Sequence, residues 1–174
     1  MFGFYEKAYY FELERKSKVQ TALAFPISIS IFSISASKFA LEKVHFCNLS
    51  GKIVIFFLVV CAISLFFTFR YCLSAIGIKK YSYVPKMSEI KQFQQGLRKF
   101  QESGASKKPA KSVDQEFESY LIDALSDATT QNSEVNDLRS DALHKANRAA
   151  FVLALFSLIS AAIAIGAEKH LFGT

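Results

Sequence analysis

QTALAFPISISIFSISAS, Gln20 to Ser37, runs for 18 residues without a charge, and IVIFFLVVCAISLFFTF, Ile53 to Phe69, runs for 17. With only Arg70 interrupting it, the second run stays apolar as far as Ile78. As a helix each reaches about 26 Å, close to the ~30 Å hydrocarbon core of a bilayer. The 15 residues between them, 38–52, are too few for a domain. A helical hairpin crossing a membrane twice is the economical arrangement.

A third uncharged run, AAFVLALFSLISAAIAIGA, covers the 19 residues 149–167 between Arg148 and Glu168. The soluble alternative makes all three runs buried core helices. That requires a domain able to wrap three helices that are apolar on every side, and 174 residues cannot supply one. A small three-span membrane protein is expected.

Composition agrees, since 51% of the residues are hydrophobic and the charges are segregated from the apolar runs. With 18 Phe and no Trp, interfacial anchoring falls to Tyr and Phe. The net charge of +6 fits Lys and Arg collecting on the cytoplasmic side of spans before it fits nucleic acid. Cys61 and Cys72 lie in or beside the second span and Cys47 in the 38–52 loop. An odd count without a CxxC argues against a disulfide framework or a metal site.

Residues 1–18 mix Glu6, Glu12 and Glu14 with Lys7, Arg15, Lys16 and Lys18, which is too acidic for a signal peptide. Phe2, Tyr5, Tyr9 and Leu13 recur at helical spacing, and Tyr10 and Phe11 broaden the stripe. An amphipathic interfacial helix is expected, with a helix packed on a soluble domain as the alternative. The transmembrane hairpin then covers 19–78, with spans at about 20–40 and 53–78.

Ile–Ser alternation from Pro26 to Ser37 is a strand signature, but an open strand cannot cross lipid with unpaired backbone groups, so helix wins. On a helix Ser30, Ser33 and Ser37 share a face. They serve either close packing or, once several copies assemble, a weakly polar path for water. Pro26 should kink the helix or mark where interfacial and spanning segments meet. His45 lacks companion ligands in its loop. The second span lacks a serine stripe and is expected to face lipid, with Arg70 snorkelling to the membrane edge.

Residues 79–148 are the sizeable region outside the spans. Ser88 can cap a helix whose apolar face is Ile90, Phe93, Leu97 and Phe100. A basic linker follows at 104–112, and a second helix from about Val113 buries Phe117, Tyr120, Leu121, Ala124, Leu125 and Ala128. From Asn132, the pattern Val135, Leu138, Ala142, Leu143, Ala146 runs without Pro or Gly into the third span at 149–167. One helix of about 35 residues is expected there. The exposed apolar faces nominate Phe93, Leu97, Phe100, Phe117 and Leu121 as a partner interface, with self-packing as the alternative. Lys107, Lys108 and Lys111 are read first as a solvated linker, with contact to nucleic acid or anionic lipid as the alternative.

Lys and Arg number four in the N-terminal arm, three in the 38–52 loop, twelve in 79–148 and one in the C-terminal tail. The positive-inside tendency then puts the N-terminus and 79–148 in the cytoplasm and the C-terminus outside. No phosphate-cradling glycine array, nucleophile elbow, zinc-protease motif or intramembrane acid is present. Neither an enzyme nor a bound cofactor is expected, nor, at this length without an inverted repeat, a monomeric transporter.

Two stretches carry a resemblance. Tyr5-Glu6-Lys7-Ala8-Tyr9-Tyr10-Phe11-Glu12-Leu13-Glu14-Arg15-Lys16, leading into a span with Pro26, is similar to the entry of small membrane effectors of bacterial antiphage systems. Asn132-x3-Asn136-x2-Arg139-x3-Leu143-x2-Ala146 is similar to their re-entry helix. The layout most resembles the transmembrane effector of a retron, encoded beside a reverse transcriptase and its non-coding RNA, although the third span departs from a two-span pattern. The resemblance implies an effector in the bacterial inner membrane, held silent by a reverse transcriptase–RNA/DNA complex. On infection it would permeabilise the membrane and abort the infection; a homo-oligomer is what the serine face would need to line a water path. The other classes are a non-conducting anchor or scaffold subunit, an effector gated by a cyclic nucleotide, and a holin-like lysis protein.

Overall fold

The computed structural model describes residues 1–43, 49–77, 80–103 and 112–172, except for the side chains of Gln101 and of residues 168–172. The described residues form five helices and no strand: α1 (Phe2–Ala22), α2 (Ala24–Lys43), α3 (Leu49–Gly77), α4 (Met87–Glu102) and α5 (Val113–Phe172). Three helical stretches, within Phe2–Lys43, Leu49–Gly77 and Val113–Ala167, are long and apolar enough to cross a membrane. Among the described residues the chain is all-α, with three helices that can span a bilayer.

Helix boundaries follow from local chemistry. Pro26 has no N–H to give the Ala22 carbonyl, and α1 stops at Ala22. α2 begins at Ala24 with Pro26 in its first turn, where a missing donor costs little. Both flanks of the 38–52 loop are helical, so only 44–48, with His45 and Cys47, falls outside the described residues. Lys38 and Glu42, 3.7 Å apart on successive turns, favour continuing α2 past the apolar run.

Two other expected boundaries are corrected. Ser88 lies inside α4 and does not cap it; instead the Lys86 backbone N–H donates to the Glu89 carboxylate at 3.3 Å, three residues ahead. The helix from Val113 and the helix from Asn132 are one helix of 60 residues. Gly166 is the first glycine within it and proline is absent, so nothing in the chain breaks it. Ser112 starts it with a capping box: its Oγ accepts the Gln115 N–H at 3.3 Å and its own N–H donates to Gln115 Oε1 at 3.2 Å.

The chain divides into two compact units. The first unit comprises Met1–Ser17 and Lys79–Asp137. Its core is Tyr9, Leu125 and Ala128, with Phe2, Tyr5, Leu13 and Val84 packed around it. The expected N-terminal stripe is therefore covered by α5 and the segment before α4. Tyr10 and Phe11 do not broaden that buried stripe, because both are exposed. On α4, the Phe93 ring stacks on Tyr120 of α5 with centroids 4.1 Å apart.

The second unit comprises Lys18–Ile78 and Leu138–Thr174. It has one apolar cluster around Leu23, Cys72, Ala75, Ala142 and Ala146, and another around Ala40, Val54 and Ala164. α3 ends on Gly77 at φ +121°, a conformation that side chains rarely adopt. The Arg139 guanidinium occupies the space where a Cβ at position 77 would stand. Gly77→Ala is expected to cost about 1–2 kcal/mol from the backbone alone. Thermal unfolding in detergent checks this, and an unchanged midpoint would mean that the helix end relaxes freely.

Candidate functional site

Two arrangements of buried polar groups stand out, one in each unit. The first is a node built on Asn132 and Asn136, both fully buried on α5. Asn132 pairs with the backbone of Ser82: its Nδ2 donates to the Ser82 carbonyl at 2.9 Å and its Oδ1 accepts the Ser82 N–H at 2.8 Å. The amide thus completes both backbone bonds of a residue that belongs to neither helix nor strand. Asn136 Oδ1 accepts the Tyr81 hydroxyl, and its Nδ2 donates at 2.8 Å to both the carbonyl and Oε2 of Glu12.

Glu12 is 6% exposed, and a carboxylate so placed needs partners. Besides Asn136 it accepts from Arg15 Nη1 at 3.1 Å, one turn along α1. Arg15 Nη2 in turn donates to Asp137 at 2.7 Å. The bond to Asp137 raises the Arg15 pKa above its ordinary value; partial burial opposes this, and Glu12 adds to the rise. Lys16 lies 4.7 Å from the centroid of the Tyr81 ring and donates to the Tyr83 hydroxyl at 3.2 Å. Three chain segments distant in sequence are joined by these side chains. The two stretches that carried the family resemblance meet here, through Glu12–Asn136 and Arg15–Asp137.

The second arrangement is a seam among the apolar helices of the second unit. α5 buries Ala142, Ala146, Ala150, Leu153, Ser157, Ser160 and Ala164 at spacings of three and four. α3 buries Gly51, Val54, Cys61, Ser64, Thr68, Cys72 and Ala75, and α2 buries Pro26, Ser33 and Ala40. Small side chains let helix backbones approach closely, which in lipid supplies much of the association. Three of the hydroxyls are turned back on their own helices. Thr68 donates to the Ser64 carbonyl and Ser160 to the Phe156 carbonyl, each at 2.8 Å, and Ser157 donates to the Ala154 carbonyl at 2.9 Å.

Of the serine stripe, Ser33 is fully buried, with no hydrogen-bond partner for its hydroxyl among the described residues. Ser30 is half-buried and donates to the Pro26 carbonyl at 2.8 Å. Ser37, also half-buried, lines a groove of about 320 Å³ with Ile34, Cys61, Leu65 and Leu153. Ser33 and Ser37 thus lie in the helix packing, whereas the Ser30 hydroxyl bonds back to its own helix. The expectation for α3 is corrected, because its bulky residues hide a small, hydroxyl-bearing face. Ser64 and Thr68, one turn apart, were the available signal.

The nominated partner-interface residues are split. Phe93 is engaged with Tyr120, Leu97, Phe117 and Leu121 are half-buried, and Phe100 is exposed. Lys107, Lys108 and Lys111 lie outside the described residues. Among the described residues no group of three or more His, Cys, Asp or Glu could hold a metal ion. Comparison with protein-family models, curated proteins and solved structures finds no match.

Proposed function

We propose that this chain is a membrane effector of bacterial antiphage defence, held closed at rest, that permeabilises the inner membrane when a cytoplasmic partner releases it. The observation that carries this is the seam: Ser33, Ser64, Thr68, Ser157 and Ser160 are all buried where three bilayer-length helices pack. Such a face is small enough to seal and carries hydroxyls enough to be wetted if the helices part. α5 supplies Ser157 and Ser160 to that seam and, along the same unbroken helix, Asn132 and Asn136 to the polar node. Disrupting the node therefore acts on a helix that also closes the seam.

The charge distribution supports an N-terminus and a node on the cytoplasmic side, with the C-terminus external. There a reverse transcriptase–RNA/DNA complex is the restraint that the family resemblance supports. A non-conducting scaffold subunit is the second proposal, favoured by hydroxyls that are already satisfied within their own helices.

Dye entry and membrane potential separate the two in bacteria expressing the chain from a tightly controlled promoter, with and without its neighbouring genes. Rapid entry from the chain alone, suppressed by the neighbours, is the expected result. Intact membranes in every condition, phage challenge included, would leave the scaffold.

A further inference from the structure

A groove of about 370 Å³ opens between α3 and α5 of the second unit, lined by Ser64, Phe67 and Tyr71 on one helix and by Lys145, Arg148, Ala149 and Val152 on the other. Its two ends differ in chemistry. Lys145 and Arg148 lie on successive turns before the uncharged run of α5, and both are exposed. Phe67, Val152 and Ala149 lie within the apolar runs. Tyr71 follows Arg70, the residue that interrupts the apolar run of α3, so the groove straddles the edge of the apolar zone on both helices at once. Phe67 stacks on Tyr71 with centroids 6.1 Å apart, making an aromatic wall that runs from the polar end into the apolar end.

We propose that this groove holds an anionic phospholipid, its phosphate between Lys145 and Arg148 and an acyl chain along Phe67 and Val152. The inference rests on the membrane-spanning reading of α3 and α5. Charge complementarity selects the headgroup, because two cations at the rim of an apolar zone attract anionic lipid. The apolar floor selects an amphiphile over a soluble phosphate or nucleotide, which would leave Phe67 and Val152 uncovered. Asp141 already binds Lys145 Nζ at 2.6 Å on the exposed rim. Its hydrogen bond raises the Lys145 pKa above the ordinary value; the phosphate takes up the remaining donors of Lys145 together with the Arg148 guanidinium.

The test uses the full chain in phosphatidylcholine nanodiscs, with and without added phosphatidylglycerol, and native mass spectrometry to count the lipids retained. A preference for phosphatidylglycerol of about five- to thirty-fold is expected, corresponding to one to two interfacial cations. The double substitution Lys145→Gln/Arg148→Gln should abolish that preference, with the helical content in phosphatidylcholine discs unchanged. Val152→Trp, which fills the acyl end and leaves both charges, should lower retention. Equal retention of the two lipids by the wild-type chain overturns the site, whatever the variants do. So does an unchanged preference in the double variant, or full competition by glycerol phosphate, which has the headgroup charge but no chain. A chain that does not enter discs at all would instead overturn the membrane reading.

Discussion

Asn136→Asp is expected to destabilise the first unit by about 3–5 kcal/mol at neutral pH, the range for a buried charge left without a partner. The substitution changes volume hardly at all and reverses the chemistry at one atom. Asn136 Nδ2 now donates to both the backbone carbonyl and Oε2 of Glu12 at 2.8 Å. An aspartate oxygen would meet the same two acceptors with no proton to give. Arg15 is already divided between Glu12 and Asp137 and cannot cover a third carboxylate. Because the new carboxyl faces Glu12, its folded-state pKa is raised above the unfolded value of about 3.9. The loss is therefore complete above that raised value and is recovered as pH falls from it towards about 3.9.

Thermal unfolding in detergent against pH checks this. A variant as stable as the wild type at neutral pH would show that the node does not hold the unit together. If the node also restrains the effector, the variant should permeabilise cells even with the neighbouring genes present.

That node marks where the sequence stops being legible. The three apolar runs could be read directly, because a bilayer needs about 20 apolar residues per helix and few other structures use such runs. The continuity of α5 could be read only in part. The lack of Pro and Gly from Asn132 onward pointed to a single helix, yet the same lack holds from Val113, and the polar stretch around Thr129 to Asn132 obscured it. The buried face of α5 was harder still. Apolar periodicity cannot separate a stripe through Leu138 from one through Arg139, since both lie three or four residues from Val135 and Ala142. The structure buries Arg139 and leaves Leu138 54% exposed. A pattern that equates apolar with buried will miss Arg139, and it will miss each Asn that is buried because a specific partner satisfies it. Ser82 and Glu12, the partners of Asn132 and Asn136, lie 50 and 124 residues away, beyond the reach of any local window.

Within the serine stripe, Ser33 is the position where packing and wetting can be told apart. Ser33 is fully buried, so Ser33→Leu adds two heavy atoms where there is no room. It should cost about 3 kcal/mol, the upper end of the usual range for overpacking. Loss of permeabilisation in that variant would report a damaged seam and say nothing about water. Ser33→Ala separates the two roles. The Ser33 hydroxyl has no hydrogen-bond partner among the described residues, so removing it relieves a buried unsatisfied group. The closed state should be as stable as the wild type or slightly more so. If the open state wets this face, the same variant loses a polar contact that exists only there. Dye entry on release should then slow several-fold while the unfolding midpoint holds or rises. Unchanged entry in Ser33→Ala would assign the serine to packing alone, because the hydroxyl contributes nothing to the closed seam that could mask its absence from the open one.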